Sequence, residues 1–262
     1  MGNPTFDVIV PQYGQPNYTL EFLDSFAEYK LPNMRLILVD NGSTHNDYNL
    51  VRDRVSALGI PNIIARLSFN SGFVRGTNVG LSLSDADYVV LQNNDTRIYR
   101  GSYQRMFDAL MSDPKIGAVG PVASECKSVQ SIAKIKDDPI FVDGFRGVEI
   151  LKVPEEGRAE LFARHLSGAK RDMHMLAFFC TMFPKAVINT FGNLSNDYGI
   201  GFGDDDDYCA RLRKAGLRIV LACDSYVYHH QRSTFKAIFS ETEIRSMQMK
   251  NFQIYKDKWE KK

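Results

Sequence analysis

The chain has 262 residues, of which 44% are hydrophobic and 24% are charged, as in an ordinary globular protein. Lys and Arg number 32 and Asp and Glu 31, so the net charge of +1 lacks the basic excess that is typical of nucleic-acid-binding proteins. The length suffices for one large α/β domain, or for a domain with a small extension.

Short β-branched runs alternate with helical patterns in the first third of the chain. Asn17 is placed to cap the first helix, which carries apolar residues on one side. Because strands that alternate with helices imply right-handed crossovers, we predict an α/β fold with a Rossmann-type, mostly parallel sheet flanked by helices. The predicted strands cover residues 6–10, 35–39, 62–66 and 88–92, and further helices cover about 47–58 and 73–83.

Residues 124–172 differ from the first part of the chain, because they are rich in Lys, Arg, Glu and Gly and show weak periodicity. We interpret them as a solvated insertion. The locally basic end at Arg164, Lys170 and Arg171 leaves open a flap that meets an acceptor or an anionic membrane face. Residues 241–259 have helical propensity and should pack on the main domain or project from it.

Cysteine spacing and hydropathy indicate the compartment. No C-x-x-C pair occurs, so reduced core thiols are favoured over a zinc site or a disulfide framework. The chain begins without a basic-then-apolar signal pattern, and no apolar run approaches ~20 residues. We therefore expect a soluble cytoplasmic protein with at most peripheral membrane contact. The cysteines are Cys126, Cys180, Cys209 and Cys223.

Polar clusters follow three of the apolar strand runs, at residues 11–14, 40–43 and 93–95. In parallel sheets ligands bind outside the carboxyl ends of the strands, so we expect a ligand site there. Asp95 could supply a carboxylate to a divalent ion, with an amide oxygen from Asn93 or Asn94. The alternative for this cluster is an Asn-Asp turn that closes the strand.

An acidic run of four aspartates follows Gly203 and opens a predicted helix. Asp205 shares a helical face with Cys209 and Leu212, so it should point inward, and like charges in a cleft should raise its pKa as a general base requires. Asp207 and Arg211 are spaced to form an ion pair, which indicates a structural role or an acceptor contact for Asp207. The alternative is a solvated acidic helix start.

Two further clusters carry candidate ligand contacts. The pair His229 and His230 follows a strand-like run and could complete a metal site with a carboxylate and phosphates. In the stretch 70–80, Gly72 allows close backbone approach to a ligand, and Arg75 could meet a diphosphate.

These clusters, in this order and spacing, resemble the family 2 glycosyltransferases. The resembling segments are Val8 to Tyr13 (V-I-V-P-x-Y/F), Val39 to His45 (V-D-N-G-S-x-D), Asn70 to Gly80 (N-x-G-F-x-x-x-x-N-x-G), Leu91 to Asp95 (the L-N-N-D form of D-x-D), Phe191 to Leu194 (G-G-F-D) and Gly203 to Arg211 (G-E-D-x-D-L-C-x-R). Four of them depart from the family pattern: the second at His45, the fourth at Asn93, the fifth at Asn193 and Leu194, and the sixth at Asp204.

The resemblance implies a GT-A fold, a UDP-, GDP- or dTDP-sugar donor, Mn²⁺ or Mg²⁺, and transfer with inversion to a glycan, lipid-linked or protein acceptor in polysaccharide biosynthesis. It gives the base to Asp205, with Asp204 as the second candidate. It divides the chain into a glycosyltransferase domain at 1–235, with halves at about 1–120 and 121–235, and a helical extension at 236–262. It places the nucleotide base and ribose against Pro11, Tyr13 and Asp40, and the metal or diphosphate against Asp95 and either His229 or His230.

Two other functions remain open. A sugar-phosphate nucleotidyltransferase would need a Gly-rich, Arg-containing loop after the first strand, which residues 11–16 lack. A non-catalytic sugar-nucleotide-binding protein would need no inward base, so Asp205 argues against it.

Overall fold

The computed structural model describes residues 2–124, 128–230 and 238–260. Within these ranges no helix is both long enough and apolar enough to cross a membrane. The strands are β1 (Phe6–Gln12), β2 (Met34–Asp40), β3 (Asn62–Arg66), β4 (Tyr88–Gln92), β5 (Thr96–Ile98), β6 (Ile116–Ala123), β7 (Lys170–Asp172), β8 (Cys180–Pro184) and β9 (Arg218–His229).

Ten α-helices and two 3-10 turns connect the strands in the described ranges. The turns are Ile150–Lys152 and Asn196–Tyr198. The helices are α1 (Pro16–Tyr29), α2 (His45–Ala57), α3 (Phe73–Leu83), α4 (Ser102–Met111), α5 (Ile132–Ile135), α6 (Pro139–Phe145), α7 (Glu155–His165), α8 (Lys185–Phe191), α9 (Asp204–Lys214) and α10 (Glu241–Trp259).

The strands form one mixed sheet in the order β3-β2-β1-β4-β8-β6-β9-β5, and β7 also pairs with β9. The pairs β3–β2, β2–β1, β1–β4 and β6–β9 are parallel, whereas β8 runs antiparallel between β4 and β6. Two antiparallel steps restore the direction, so β1, β2, β3, β4, β6 and β9 all point the same way. Their carboxyl ends therefore share one edge, as the sequence predicts.

Apolar side chains cover both faces of the sheet. Along β1, Val8 and Val10 belong to one buried cluster and Ile9 to the other, because successive residues of a strand point to opposite faces. Helix α1 covers the first face with Phe22 and Phe26. The first helix begins at Pro16 rather than after Asn17, so the capping role predicted for Asn17 is wrong; Gln15 precedes the helix in a left-handed conformation.

The segment 124–172 is not a solvated insertion. Helices α6 and α7 place Phe141, Phe145 and Phe162 in a third buried cluster, where Phe162 stacks on Tyr226 of β9 at 5.3 Å between ring centroids. The basic end of this segment is also partly neutralised, because Arg171 pairs with an aspartate and Arg164 with a glutamate. The segment therefore extends the core along β9.

Three of the cysteines are buried and unbridged, as predicted: Cys180, Cys209 and Cys223. Cys126 lies outside the described residues. The C-terminal helix α10 packs on the domain rather than projecting from it, through the buried side chain of Asn251.

Candidate functional site

A cavity of about 860 Å³ opens along the carboxyl edge of the sheet. One part of the lining comes from residues at or after the ends of β1 and β2, a second from the ends of β4 and β9, and a third from the start of α9 and from α10. Of the residues singled out in the sequence, the cavity is lined by Pro11, Tyr13, Gly72, Asn94, Asp95, Asp204, Asp205 and His229.

The first part of the lining is a wall built by Pro11, Gln12, Tyr13, Asn41 and Asn70, called here the β1–β2 wall. The Gln12 side chain is 1% exposed, and its Nε2 donates to Ser43 Oγ at 2.7 Å and to Asp40 Oδ1 at 2.8 Å. Gln12 Oε1 accepts from the hydroxyl of a buried threonine in α1. Every polar atom of the Gln12 amide is thus engaged, so the wall has one defined arrangement.

Asp40 is fully buried and is not among the residues that line the cavity. Its second carboxylate oxygen accepts from Arg66 Nε at 3.2 Å, and Arg66 NH1 also lies 3.2 Å from His45 Nδ1. Asp40 therefore supports the wall from behind through Gln12. His45, which replaces an aspartate of the family pattern, contacts the partner of Asp40.

The loop before α3 also belongs to this part of the lining. Gly72 has a φ of 86°, and a Cβ placed on it would lie 2.5 Å from the Cα of Ile200. Glycine is therefore required where this loop meets the segment before α9. Arg75 lies on the exposed side of α3 and does not line the cavity, so the predicted diphosphate contact of Arg75 is wrong for this arrangement.

The second part of the lining contains a carboxylate and an imidazole. Asp95 Oδ1 lies 3.3 Å from His229 Nε2, and both side chains are more than nine-tenths buried. The pairing of strands β5 and β9 brings them together, since Thr96, the residue after Asp95, is the register partner of His229. Phe179 stacks on the His229 ring at 4.8 Å, and Asn93 Nδ2 lies 3.3 Å from the same Nε2.

The structure separates the two histidines that the sequence left as alternatives. His230 Nε2 lies 2.9 Å from Glu21 Oε2, and its ring packs against Tyr18. His230 does not line the cavity, because consecutive residues of an extended chain point in opposite directions. The assignment of His230 to the metal is therefore wrong, and His229 is the histidine at the cavity.

The Asp95–His229 pair fits a divalent cation. Two ligands at adjacent corners of an octahedral ion, each about 2.1 Å from it, lie about 3 Å apart, close to the observed 3.3 Å. Carboxylate oxygens suit Mn²⁺ and Mg²⁺, and a neutral imidazole is a common metal ligand in proteins. In the described ranges no group of three or more His, Cys, Asp or Glu side chains is placed to hold a metal. The protein thus offers two such ligands, and a bound ion would need others from phosphate and water.

In the third part of the lining, α9 begins with the acidic run, which with the preceding turn forms the acidic segment (residues 198–207). Asp205 is half-buried and Asp204 is 4% exposed, and both line the cavity. Burial, together with Asp204 and Asp206, raises the pKa of Asp205 well above its usual range. Burial, opposed in part by backbone hydrogen bonds, raises the pKa of Asp204 to about 7.

Asp207, unlike Asp204 and Asp205, is surrounded by hydrogen-bond donors, including Arg211 as its spacing in the sequence predicts. It is fully buried, and its oxygens accept from Arg211 at 2.7 Å, from Lys258 Nζ at 2.7 Å and from Trp259 Nε1 at 2.8 Å. Burial alone would raise the pKa of Asp207, but these hydrogen bonds outweigh it and the pKa is lowered. Asp207 is a structural anchor that does not line the cavity.

Sequence reasoning gave Gln12 no role of its own within the 11–14 cluster, and it missed the cavity residues of α10 and those that precede β8. Gln12 carries a local signal, because it is a polar residue within a strand that is buried along its whole length. The wall contributed by α10 carries none, because its residues become neighbours of α9 only through folding. This second wall consists of Gln248, Asn251, Phe252 and Tyr255.

The amino-acid sequence matches a known protein family over most of the cavity-forming strands. The family model described as Glycosyl transferase family 2 matches residues 7–191. The chain belongs to glycosyl transferase family 2. The match covers the β1–β2 wall and the Asn93–Asp95 turn, and it ends before the acidic segment, α9 and α10.

The relatives of this family 2 chain are distant and much longer. It is 21% identical over 239 residues to the O-antigen biosynthesis protein RfbC of Myxococcus xanthus, which covers 90% of this chain and 18% of that protein. It is 22% identical to the uncharacterized protein y4gI of Sinorhizobium fredii, over 89% of this chain and 25% of that protein. The chain therefore spans a quarter or less of the length of these relatives.

Solved structures share the fold. The mannosyltransferase PcManGT from Pyrobaculum calidifontis, in complex with GDP-Man and Mn²⁺, has a TM-score of 0.64 at 19% identity, over 89% of this chain and 59% of that one. S. aureus TarS 1-349, in complex with UDP-GlcNAc, also has a TM-score of 0.64, at 15% identity, over 96% of this chain and 65% of that one. The family 2 chain thus has the mixed α/β, GT-A-like architecture predicted from its sequence.

Proposed function

We propose that this chain is an inverting glycosyltransferase that moves a sugar from a nucleoside-diphosphate sugar to an acceptor hydroxyl. The observation that carries the proposal is one cavity that joins the β1–β2 wall, the Asp95–His229 pair and the Asp204–Asp205 carboxyls. These groups would serve the nucleotide, the diphosphate with its metal, and the attacking hydroxyl, respectively.

The nucleotide end of the donor would lie against Pro11 and Tyr13, both at the cavity surface. Asp40, although predicted as a direct contact, would act through the Gln12 amide that it holds. Gly72 lets the loop before α3 approach closely, and Asn94 is fixed by donating to Thr19 Oγ1 at 2.8 Å. UDP-, GDP- and dTDP-sugars are all candidates for the donor.

Asp95 and His229 would hold Mn²⁺ or Mg²⁺. The bound ion would offset the negative charge that develops on the departing diphosphate. Asn93 Nδ2, 3.3 Å from His229 Nε2, would give up that nitrogen to the ion. Phe179, stacked on the ring of His229, would fix its plane.

Asp205 would be the general base. It is half-buried at the cavity surface, whereas Asp204 is 4% exposed, so Asp205 is the more accessible of the two. Its carboxylate would take the proton of the acceptor hydroxyl as the oxygen bonds to the anomeric carbon. The bond from that carbon to the diphosphate oxygen breaks on the opposite face, and a nucleoside diphosphate leaves. A single displacement of this kind inverts the anomeric centre.

The acceptor would enter between α9 and α10, past Phe252 and Tyr255. The relative from Myxococcus xanthus is named for O-antigen biosynthesis, which supports a glycan or lipid-linked glycan acceptor and a role in polysaccharide biosynthesis. A protein acceptor remains an alternative. We place the activity in the cytoplasm, with peripheral membrane contact at most.

The test is a panel of nucleotide sugars, beginning with GDP-Man and UDP-GlcNAc, incubated with the protein with Mn²⁺ or with a chelator. We expect one donor to bind in a metal-dependent manner and to release a nucleoside diphosphate on transfer or slow hydrolysis. Release of pyrophosphate from a nucleoside triphosphate would instead identify a nucleotidyltransferase. Metal-dependent binding without release, from any donor, would indicate a non-catalytic binding protein.

A further inference from the structure

We propose that the C-terminal helix α10 positions the general base, by clamping the acidic segment through Asn251, Lys258 and Trp259. This proposal rests on the base role of Asp205 or Asp204 proposed above. It goes beyond the family match, which ends at residue 191, before both the acidic segment and α10.

Asn251 is the first element of the clamp. It is 6% exposed, and its Nδ2 donates to the carbonyls of Tyr198, Gly201 and Phe202 at 3.0, 2.8 and 2.8 Å. The two N–H protons of one amide are thus shared among three carbonyls of the turn that leads into α9, which requires one three-centre hydrogen bond. A side chain that only filled space would need no donor here, so the interaction is specific for an N–H group.

The turn that Asn251 holds has a backbone that would not persist unaided. Phe202 has a φ of 71° and Gly203 a φ of 87°, both in the left-handed region. A bulky residue such as Phe is rarely found there, and such conformations persist only where surrounding contacts fix them. The three hydrogen bonds from Asn251 are contacts of that kind.

The same turn contacts the candidate bases directly. The backbone of Phe202 hydrogen-bonds to the Asp204 carboxyl. The Phe202 carbonyl is held by Asn251 of α10, so a single residue links α10 to Asp204. A shift of the Phe202 peptide would move the first turn of α9, and Asp205 with it.

Lys258 and Trp259 form the second part of the clamp. Lys258 Nζ and Trp259 Nε1 both reach Asp207 Oδ1, at 2.7 and 2.8 Å. Asp207 also accepts from Tyr198 Oη at 3.3 Å, which ties it to the turn that Asn251 holds. The two ends of the acidic segment are therefore attached to the same helix, seven residues apart along it.

The test uses Asn251→Asp, which keeps the shape of the side chain and replaces the N–H donor by an oxygen. Gln253→Ala is the matched control on the same helix, because Gln253 is exposed and its Nε2 contacts Asp257 within α10. Lys258→Met combined with Trp259→Phe tests the second part of the clamp without changing the buried Asn251.

We expect Asn251→Asp to lower kcat by roughly tenfold to a hundredfold, as small displacements of reacting groups do. The Kd for the nucleoside diphosphate should stay within twofold of the control. The double variant should also lower kcat selectively. A wild-type kcat in Asn251→Asp, or equal losses in kcat and nucleotide affinity, would overturn the proposal. If Asn251→Asp does not fold, the double variant decides: an unchanged kcat, or equal losses in kcat and nucleotide affinity, would overturn the proposal.

A second readout does not depend on turnover. In a carboxyl-carbon NMR titration, at least one aspartate of α9 should titrate near neutral pH in the wild type. Asn251→Leu, which removes the donor without adding a charge, should move that titration toward the usual acidic range as the carboxyls gain water. An unchanged titration would contradict the clamp even if the protein transfers no sugar. The charged groups around these carboxyls are Asp206, Asp207 and Arg213 of α9, His174 before β8 and Lys258 of α10.

Discussion

The β1–β2 wall and the acidic segment line the same cavity, but they are held in different ways. The wall is fixed by partners in the neighbouring strands and loops, such as Ser43, which Gln12 reaches across 31 residues of sequence. The acidic segment depends on α10, about 50 residues further along the chain. The family match includes the wall and excludes the segment. Under the proposed function, donor binding and proton transfer would therefore depend on contacts from different parts of the chain.

The largest effect that separates the two regions should come from Asp205→Asn. This change keeps the size of the side chain and removes its ability to accept a proton, so transfer should fall by ~10²–10⁴-fold. Binding of the nucleoside diphosphate to the β1–β2 wall should remain within about twofold of the wild type, because the substitution leaves that wall unchanged. A factor of two in Kd corresponds to less than about 0.5 kcal/mol. Steady-state kinetics and calorimetry measure the two quantities. A rate above about a tenth of the wild type would shift the base to Asp204.

Asp207→Asn should act on stability rather than on nucleotide binding. The substitution leaves Arg211, Lys258 and Trp259 without their shared carboxylate, and we expect a loss of about 1–3 kcal/mol. Thermal unfolding should detect this as a Tm lower by about 2–4 °C per kcal/mol. Unchanged Tm would show that these contacts are not formed in solution.

The same variant has a distinctive pH dependence. The pKa of Asp207 is lowered in the folded protein, so its carboxylate stabilises the fold above the unfolded-state pKa, and that contribution is lost as the pH falls through the folded-state pKa. The Tm difference between wild type and Asp207→Asn should therefore shrink in acid. A difference that stays constant at all pH values would contradict the lowered pKa.

The boundary between the two regions can be sharpened with the adjacent histidines. His229→Asn should weaken Mn²⁺-dependent binding of the nucleoside diphosphate by about tenfold, equivalent to about 1.4 kcal/mol. His230→Asn is the matched control, because His230 contacts Glu21 away from the cavity. Calorimetry with Mn²⁺ and with a chelator measures both variants. Equal effects would remove His229 from the metal.

The smallest effect should be a pH effect near neutrality. The pKa of Asp204 is raised to about 7 and the pKa of Asp205 well above its usual range. Because the proton acceptor must be deprotonated, kcat/KM should rise as the pH increases through neutrality and fall about tenfold per unit well below it. Asp204 and Asp205 interact, so the apparent pKa of the rising part of the pH–rate profile belongs to the pair of carboxyls. A rising part near pH 4 would show that neither carboxyl is shielded from water.

The first four strands of the sheet could be predicted from the sequence because each is an apolar run that contains β-branched residues, whereas β5 to β8 were not predicted. Strands β1 to β4, and helices α3 and α10, lie within two residues of their predicted bounds. The segment 124–172 was misread because α5 and α6 have only four and seven residues, too short for a clear hydrophobic period. Its apolar residues gain a core only by packing on Tyr226 of β9.

Within the site, a position at the cavity could be predicted where a side chain directly follows a strand, as for Tyr13 and Asp95, whose roles stay predictions. It failed where side-chain direction decides, as for Arg75 on the outer side of α3 and for the choice between His229 and His230. It also failed where distant segments meet. Asn251 lies in an ordinary polar helix sequence, and only the folded turn at residues 198–203 makes its amide important.

A buried relay joins the nucleotide part of the cavity lining to the metal part. Asn94 donates to Thr19, Thr19 donates to Gln12, and Gln12 donates to Asp40, over distances of 2.8, 3.2 and 2.8 Å. Substitutions within one hydrogen-bond network are not additive. Anyone who redesigns Asp40 or Gln12 to change the accepted nucleotide should therefore expect epistasis with Asn94. Library screens should vary these positions together, since single changes would misreport which combinations remain active.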